Sequence, residues 1–128
     1  MKAQVSLEFM IIFASFLIIL SVSLLITWVK TEEVETLQFN LESLKIINLV
    51  SNTINTAYLE GDGYIQNLTL PDNILDLPYQ LSISSNMITL NHSYGTVSEK
   101  ILTNNVTGVL VSGVNTIENR GGMIFINT

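Results

Sequence analysis

Between Phe9 and Val29 the chain carries no charged residue, and Ile, Leu, Val and Phe make up most of the stretch. About twenty such residues, rising about 1.5 Å each in a helix, match a hydrocarbon core of roughly 30 Å. The segment therefore has the length and composition to cross a bilayer. A helix that is apolar on every side needs lipid or a crowded bundle around it. The chain has 128 residues, so setting this segment aside leaves about a hundred, enough for one small domain. One helix and one head domain is the plan that fits.

The helical pattern continues past the apolar stretch. No Gly or Pro occurs between Gln4 and Glu60, and Val34, Leu37, Leu41, Leu44, Ile47, Val50, Ile54 and Ala57 recur at steps of three and four. That spacing describes one face of a helix. A single helix from Gln4 to about Tyr58 would be roughly 80 Å long, far beyond the usual globular helix. Its second half, over 31–60, is expected to be amphipathic, with Glu42, Lys45 and Asn48 on the polar face. The expected arrangement places the first half, 4–30, in lipid or among identical helices, and the second half under its own head.

Gly61-Asp62-Gly63 supplies the stop, since a glycine just past the last periodic residue ends a helix. Short runs rich in β-branched and aromatic residues follow at Tyr64–Leu70, Tyr79–Ser84, Met87–Leu90, Thr96–Leu102, Val106–Val114 and Met123–Asn127. Turn-forming residues separate them: Pro71-Asp72-Asn73, Ser85-Asn86, Asn91 to Gly95, Asn104-Asn105 and Arg120-Gly121-Gly122. Leu81, Ile83 and Ile101 alternate with polar neighbours, as a sheet with one wet face requires. The fold class expected is α+β: a long N-terminal α-helix whose second half packs on a head, residues 61–128, built as an antiparallel sheet of about five strands.

Charge and composition exclude several functions. The net charge is −6, and the basic residues Lys2, Lys30, Lys45, Lys100 and Arg120 are scattered. They form no patch able to neutralise a phosphate backbone, so nucleic acid is not an expected partner. The chain has no Cys, which excludes disulfides and thiolate metal sites. Its single His, His92, lies in an Asn/Ser/Gly context typical of a solvated loop. With no second His, no phosphate-binding glycine loop and no nucleophile paired with a base, neither an enzyme nor a cofactor is expected. Glu60 and Asp62 could offer oxygens to a calcium ion, but the glycines between and after them mark a turn.

The N-terminus carries a more specific signal. Gln4, Ser6 and Glu8 form a Gln-x-Ser-x-Glu pattern that leads directly into the apolar helix. This pattern resembles the class III signal peptides of archaeal type IV pilin-like proteins. The resemblance implies that a prepilin peptidase cuts between Ala3 and Gln4, removing a leader of residues 1–3 and leaving the helix on the mature chain. Ala3 stands where the family usually has Gly. The resemblance further implies a type IV pilin-like fold and self-assembly into a helical filament through the N-terminal helix, with help from a pilus assembly platform. The precursor would be membrane-inserted with its N-terminus cytoplasmic and its head outside, and the mature form would lie in a surface filament of the kind used in adhesion. A secretory signal peptide would need a small-residue cleavage site after its apolar region, and Trp28-Val29-Lys30 offers none.

Within that resemblance Glu8 and Gln4 are the assembly residues. A carboxylate entering an apolar core requires a partner, and intramembrane carboxylates tend to be functional. In related pilins the partner is the N-terminal amine of a neighbouring subunit, which here belongs to Gln4. An N-terminal Gln can cyclise and lose its charge, in which case Glu8 would accept hydrogen bonds instead. Ser15, Ser21, Ser23 and Thr27 interrupt the apolar run as packing residues that can bond back to their own helix. Asn67-Leu68-Thr69, Asn91-His92-Ser93 and Asn105-Val106-Thr107 are sequons, which makes Asn67, Asn91 and Asn105 glycosylation candidates on an exported head. Two other descriptions fit the same chain: a minor pilin that primes or caps a filament, and a monomeric membrane-anchored protein with a small β-rich binding head.

Overall fold

A computed structural model describes the backbone of residues 2–128, with side chains from Ser6 onward except that of Glu32. One helix, α1, runs from Lys2 to Glu60. Seven strands follow: β1 (Ile65–Leu70), β2 (Tyr79–Ser84), β3 (Met87–His92), β4 (Gly95–Lys100), β5 (Val106–Gly108), β6 (Gly113–Arg120) and β7 (Met123–Ile126). The layout is α+β, as the sequence indicates. The chain forms two compact units, Met1–Leu37 and Gln38–Thr128.

In the first unit the apolar side chains stand exposed all round the helix, among them Phe9 at 66 %, Ile12 at 69 % and Trp28 at 68 %. Such a surface is unstable in water and needs another apolar medium or apolar neighbours. The hydroxyls in this stretch are satisfied internally. Ser15 donates to the carbonyl of Ile11 (2.8 Å), Ser21 to Leu17 (2.8 Å), Ser23 to Ile19 (2.9 Å) and Thr27 to Ser23 (2.9 Å). These four hydroxyls therefore present no unpaired donor to the apolar side, which suits lipid or close helix packing.

In the second unit α1 packs on two sheets. Phe39, Ile46, Ile47, Val50, Ile54 and Ala57 are buried together with Leu68 and Leu70 of β1, Ile88 and Leu90 of β3, Ile117 of β6, and Ile124 and Ile126 of β7. Burying each large side chain contributes about 1.5–3 kcal/mol, so this single core holds the head on the helix. Only half of the expected apolar face takes part. Ile47, Val50, Ile54 and Ala57 are inside, whereas Val34, Leu37, Leu41 and Leu44 are exposed. The reason is the step length: at about 100° per residue, each step of three falls about 60° short of a full turn. The consecutive three-residue steps from Leu41 to Val50 therefore carry the stripe round to the opposite side of the helix. Phe39, Ser43 and Ile46 complete the buried face in place of the four exposed residues.

The strands form two sheets rather than one. The order is β1-β6-β7-β5 in the first and β2-β3-β4 in the second. All pairs are antiparallel except β5 and β7, which run parallel with Val106 opposite Ile124. The expected strand 106–114 is broken after Gly108, and residues 115–120, outside every expected strand, form most of β6. Asn115 accounts for the break. Its side chain is fully buried, accepts from the amide of Val111 (2.8 Å), and donates to the carbonyls of Val111 (2.7 Å) and Gly113 (3.1 Å). Those bonds fold 109–113 into a loop instead of a ladder.

The helix stops as expected, with Gly61 in the left-handed region at φ 91°. Asp62 accepts from the amide of Gly121 at 2.6 Å. It thus also closes the β6–β7 turn, while Asp62 and Gly63 form the turn that the glycines imply.

Candidate processing site and helix surface

The elements of the N-terminal motif lie on the first turns of α1, an uninterrupted helix. The backbone of Ala3 and Gln4 is helical, while their side chains fall outside the described residues. Ser6 and Glu8 are exposed. Glu8 has no hydrogen bond or ion pair among the described residues, and its neighbour Phe9 stacks on Phe13 with ring centroids 6.2 Å apart. A free carboxylate at the start of an apolar helix is a charge available to a group from outside the chain. The rest of the apolar stretch offers no counter-charge: Phe9 to Val29 is uncharged, and the next ion pair is the exposed Lys30–Glu33 contact at 2.8 Å.

The three sequons all present an exposed asparagine. Asn67 lies mid-strand in β1, opposite Thr116, whose hydroxyl donates to its Oδ1 at 3.2 Å. Asn91, expected in a turn, belongs to β3, which extends to His92, and its Oδ1 accepts from the hydroxyl of Thr96 at 2.8 Å. Asn105 precedes β5 in a connector, its amide donating to the Thr103 hydroxyl at 3.1 Å. Of the three, only Asn105 has a side chain outside any strand ladder.

His92 differs from the solvated residue that its context implied. Its ring lies 4.5 Å from that of Phe39, with Tyr94 5.5 Å from the same phenyl group. The hairpin of β3 and β4 thus folds over the helix at Phe39, whose ring lies against the imidazole and shields it in part from water. Nδ1 accepts from the amide of Tyr94 at 3.2 Å, which places the ring proton on Nε2, and Nε2 is buried with no partner among the described residues. Burial lowers the pKa of His92 from its ordinary 6.5.

Two features escaped the sequence. The first is the outer face of the helix opposite the head, where Leu41 is 59 % and Leu44 41 % exposed. The second is the turn Ile74-Leu75-Asp76-Leu77. Its end residues exchange two hydrogen bonds of 2.9 Å, and both central residues have positive φ, 48° at Leu75 and 64° at Asp76. That is the geometry of a type I′ turn, for which Asn-Gly or Gly-Gly is the usual choice. A leucine there is strained by about 1–3 kcal/mol. Together the turn and the helix frame a groove lined by Leu41, Leu44 and Leu75, with Gln38, Glu42 and Lys45 at its rim.

Comparison with known proteins adds one finding. Residues 2–27 match the family model described as Class III signal peptide. The N-terminal segment is accordingly similar to a class III signal peptide, which fits a type IV pilin-like protein. No curated protein and no solved structure is detectably similar to the chain.

Proposed function

We propose that the protein is a structural, non-catalytic subunit of an archaeal type IV pilus-like surface filament. The observation that carries this reading is the junction of Gln4, Ser6 and Glu8 with an exposed, uncharged helix inside the matched segment. A prepilin peptidase cuts between Ala3 and Gln4, and the mature chain waits in the membrane with its head outside. On assembly, identical helices replace lipid around Phe9 to Val29, and the heads form the outer coat. Glu8 then meets the N-terminal amine of a neighbouring Gln4, or accepts hydrogen bonds if Gln4 has cyclised, which favours one axial register. Asn67, Asn91 and Asn105 are its glycosylation candidates, exposed on the head.

Intact mass and N-terminal sequencing of the protein from membrane and surface fractions test this. The expected mature start is Gln4, cyclised or not, in material released by shear, with any mass excess in glycan units. An intact Met1, or a cut beyond Val29, would overturn the reading and leave a monomeric anchored or secreted head.

A further inference from the structure

We infer that the groove between α1 and the Ile74–Leu77 turn is an assembly surface, filled by the uncharged helix of a second copy of this chain. The groove has a volume of about 560 Å³, room for several apolar side chains of a partner. Its three leucines are exposed, Leu75 at 52 %. Leu75 is held out to solvent by a backbone conformation that a bulky residue rarely adopts, and strain of this kind persists where the surface has a use. The head packs its core on the opposite face of the helix through Ile47, Val50 and Ile54 and reaches this side only with the Ile74–Leu77 turn, which leaves all three leucines exposed. Lipid cannot cover them, because Lys30, Glu32, Glu33 and Glu35 intervene between the membrane-length stretch and Leu41.

Charge selects the occupant. The head carries Asp62, Asp72, Asp76, Glu99 and Glu118 against Lys100 and Arg120, so two heads repel, and a second copy approaches best through a neutral surface. The groove is one: its floor is uncharged, and Glu42 and Lys45 at its rim neutralise each other in an ion pair. The matching element is the chain's own Phe9 to Val29, a helix without charge whose side chains are exposed all round. Seating that helix along Leu41, Leu44 and Leu75 removes apolar surface on both sides from water. The contact is head-to-tail between copies, the kind that builds an open filament wherever the rotation between copies does not close a ring. This rests on the pilin reading for the presence of neighbouring copies, and it adds where they touch.

The absence of native Cys makes the test clean. Leu44→Cys labelled with benzophenone maleimide is irradiated in intact filaments and, separately, in membranes. The expected product is a two-chain adduct mapped to the Gln4–Lys30 peptide of another copy. In parallel, Leu41→Glu/Leu75→Glu is expected to be processed at Gln4 and to resist proteolysis of its head as the parent does, while its filament yield drops at least ten-fold. Adducts to lipid or to a different protein, a label that stays monomeric in assembled filaments, or normal yield from the double variant would each overturn the inference with the pilin reading intact. If the parent chain is not cut at Gln4, the pilin reading fails instead, and the membrane experiment still decides: a two-chain adduct upholds the contact and its absence overturns it.

Discussion

The side-chain amide of Asn119, in β6, donates to the carbonyl of Ala57, in the last turn of α1, at 2.8 Å. Asn119 is fully buried, and each of its polar groups is used. Its Oδ1 accepts from Gly122 (2.9 Å), its amide donates to Tyr64 (2.9 Å), and its carbonyl accepts from Gly63 (2.9 Å). One residue therefore caps the helix, fixes the β6–β7 turn and anchors the chain leaving the helix. Asn119→Ala keeps the two backbone bonds but strands the carbonyl of Ala57 and the amide of Gly122, and a loss of about 2–3 kcal/mol is expected. Asn119→Asp fails similarly, because a carboxylate cannot donate to Ala57. Urea unfolding of the detergent-solubilised chain, followed by near-ultraviolet circular dichroism of the head tyrosines, checks both.

How far the sequence discloses this structure depends on the range of the interactions involved. The helix and its stop at Gly61 are local, set by the absence of Gly and Pro and then by glycine's freedom at positive φ, so they are legible. Tyr79–Ser84 and the start of β3 are legible for the same reason, as alternating runs joined by the two-residue turn Ser85-Asn86. The β1–β6 pairing is not, because it joins Ile65 to Glu118 across the whole head. Nor is β6 itself, because Asn115 and Asn119 look like turn residues until their buried partners are known. The N-terminal motif is fully legible as a pattern. The outward Leu41 and Leu44 are hidden by the same three-and-four spacing that places Ile47 and Ile54 inside.

Gly108 provides a second test of the head. At φ 114° an added Cβ would lie 2.1 Å from the carbonyl oxygen of Ile126, a backbone atom that cannot yield without moving β7. Gly108→Ala should cost about 3 kcal/mol or more, combining a disfavoured dihedral with the clash. Hydrogen exchange should then rise at the β5–β7 pairing first, while the β2–β3–β4 amides keep their protection.

His92 makes the head acid-sensitive. Its pKa is lowered by burial, so the folded chain binds the proton less readily than the unfolded one. Where the unfolded state binds more protons, stability rises with pH. Stability should therefore be complete above about 6.5, the ordinary value, and fall as pH drops from there through the lower folded value. Protonation also sets a second N–H against the amide of Tyr94, which Nδ1 now accepts. His92→Gln should flatten the change in Tm between pH 7 and pH 5, and an unchanged slope would remove His92 from the account.

Leu75 separates stability from assembly. Asn tolerates positive φ far better than Leu, so Leu75→Asn should stabilise the head by about 1 kcal/mol, read as a higher Tm. The same change removes one of the three leucines of the groove, so filament yield should fall although the subunit is more stable. A variant that gains both stability and yield would show that the strained turn has no part in assembly.

Glu8 separates insertion from assembly in the same way. Glu8→Ala removes a free carboxylate without touching any described hydrogen bond, so the helix and the head lose nothing. Membrane insertion should be unchanged or slightly improved, since a charge near hydrocarbon is costly. If Glu8 sets register between copies, the processed subunit should accumulate in the membrane while surface filaments become scarce, measured as the ratio of subunit in the sheared fraction to that in the membrane. Glu8→Gln discriminates further: an amide can still accept a hydrogen bond from a cyclised Gln4 but cannot pair with an ionised amine. Recovery with Gln at position 8 would point to the cyclised form, and loss with both variants to the ion pair, whereas normal filaments from Glu8→Ala would leave the carboxylate without a role in assembly.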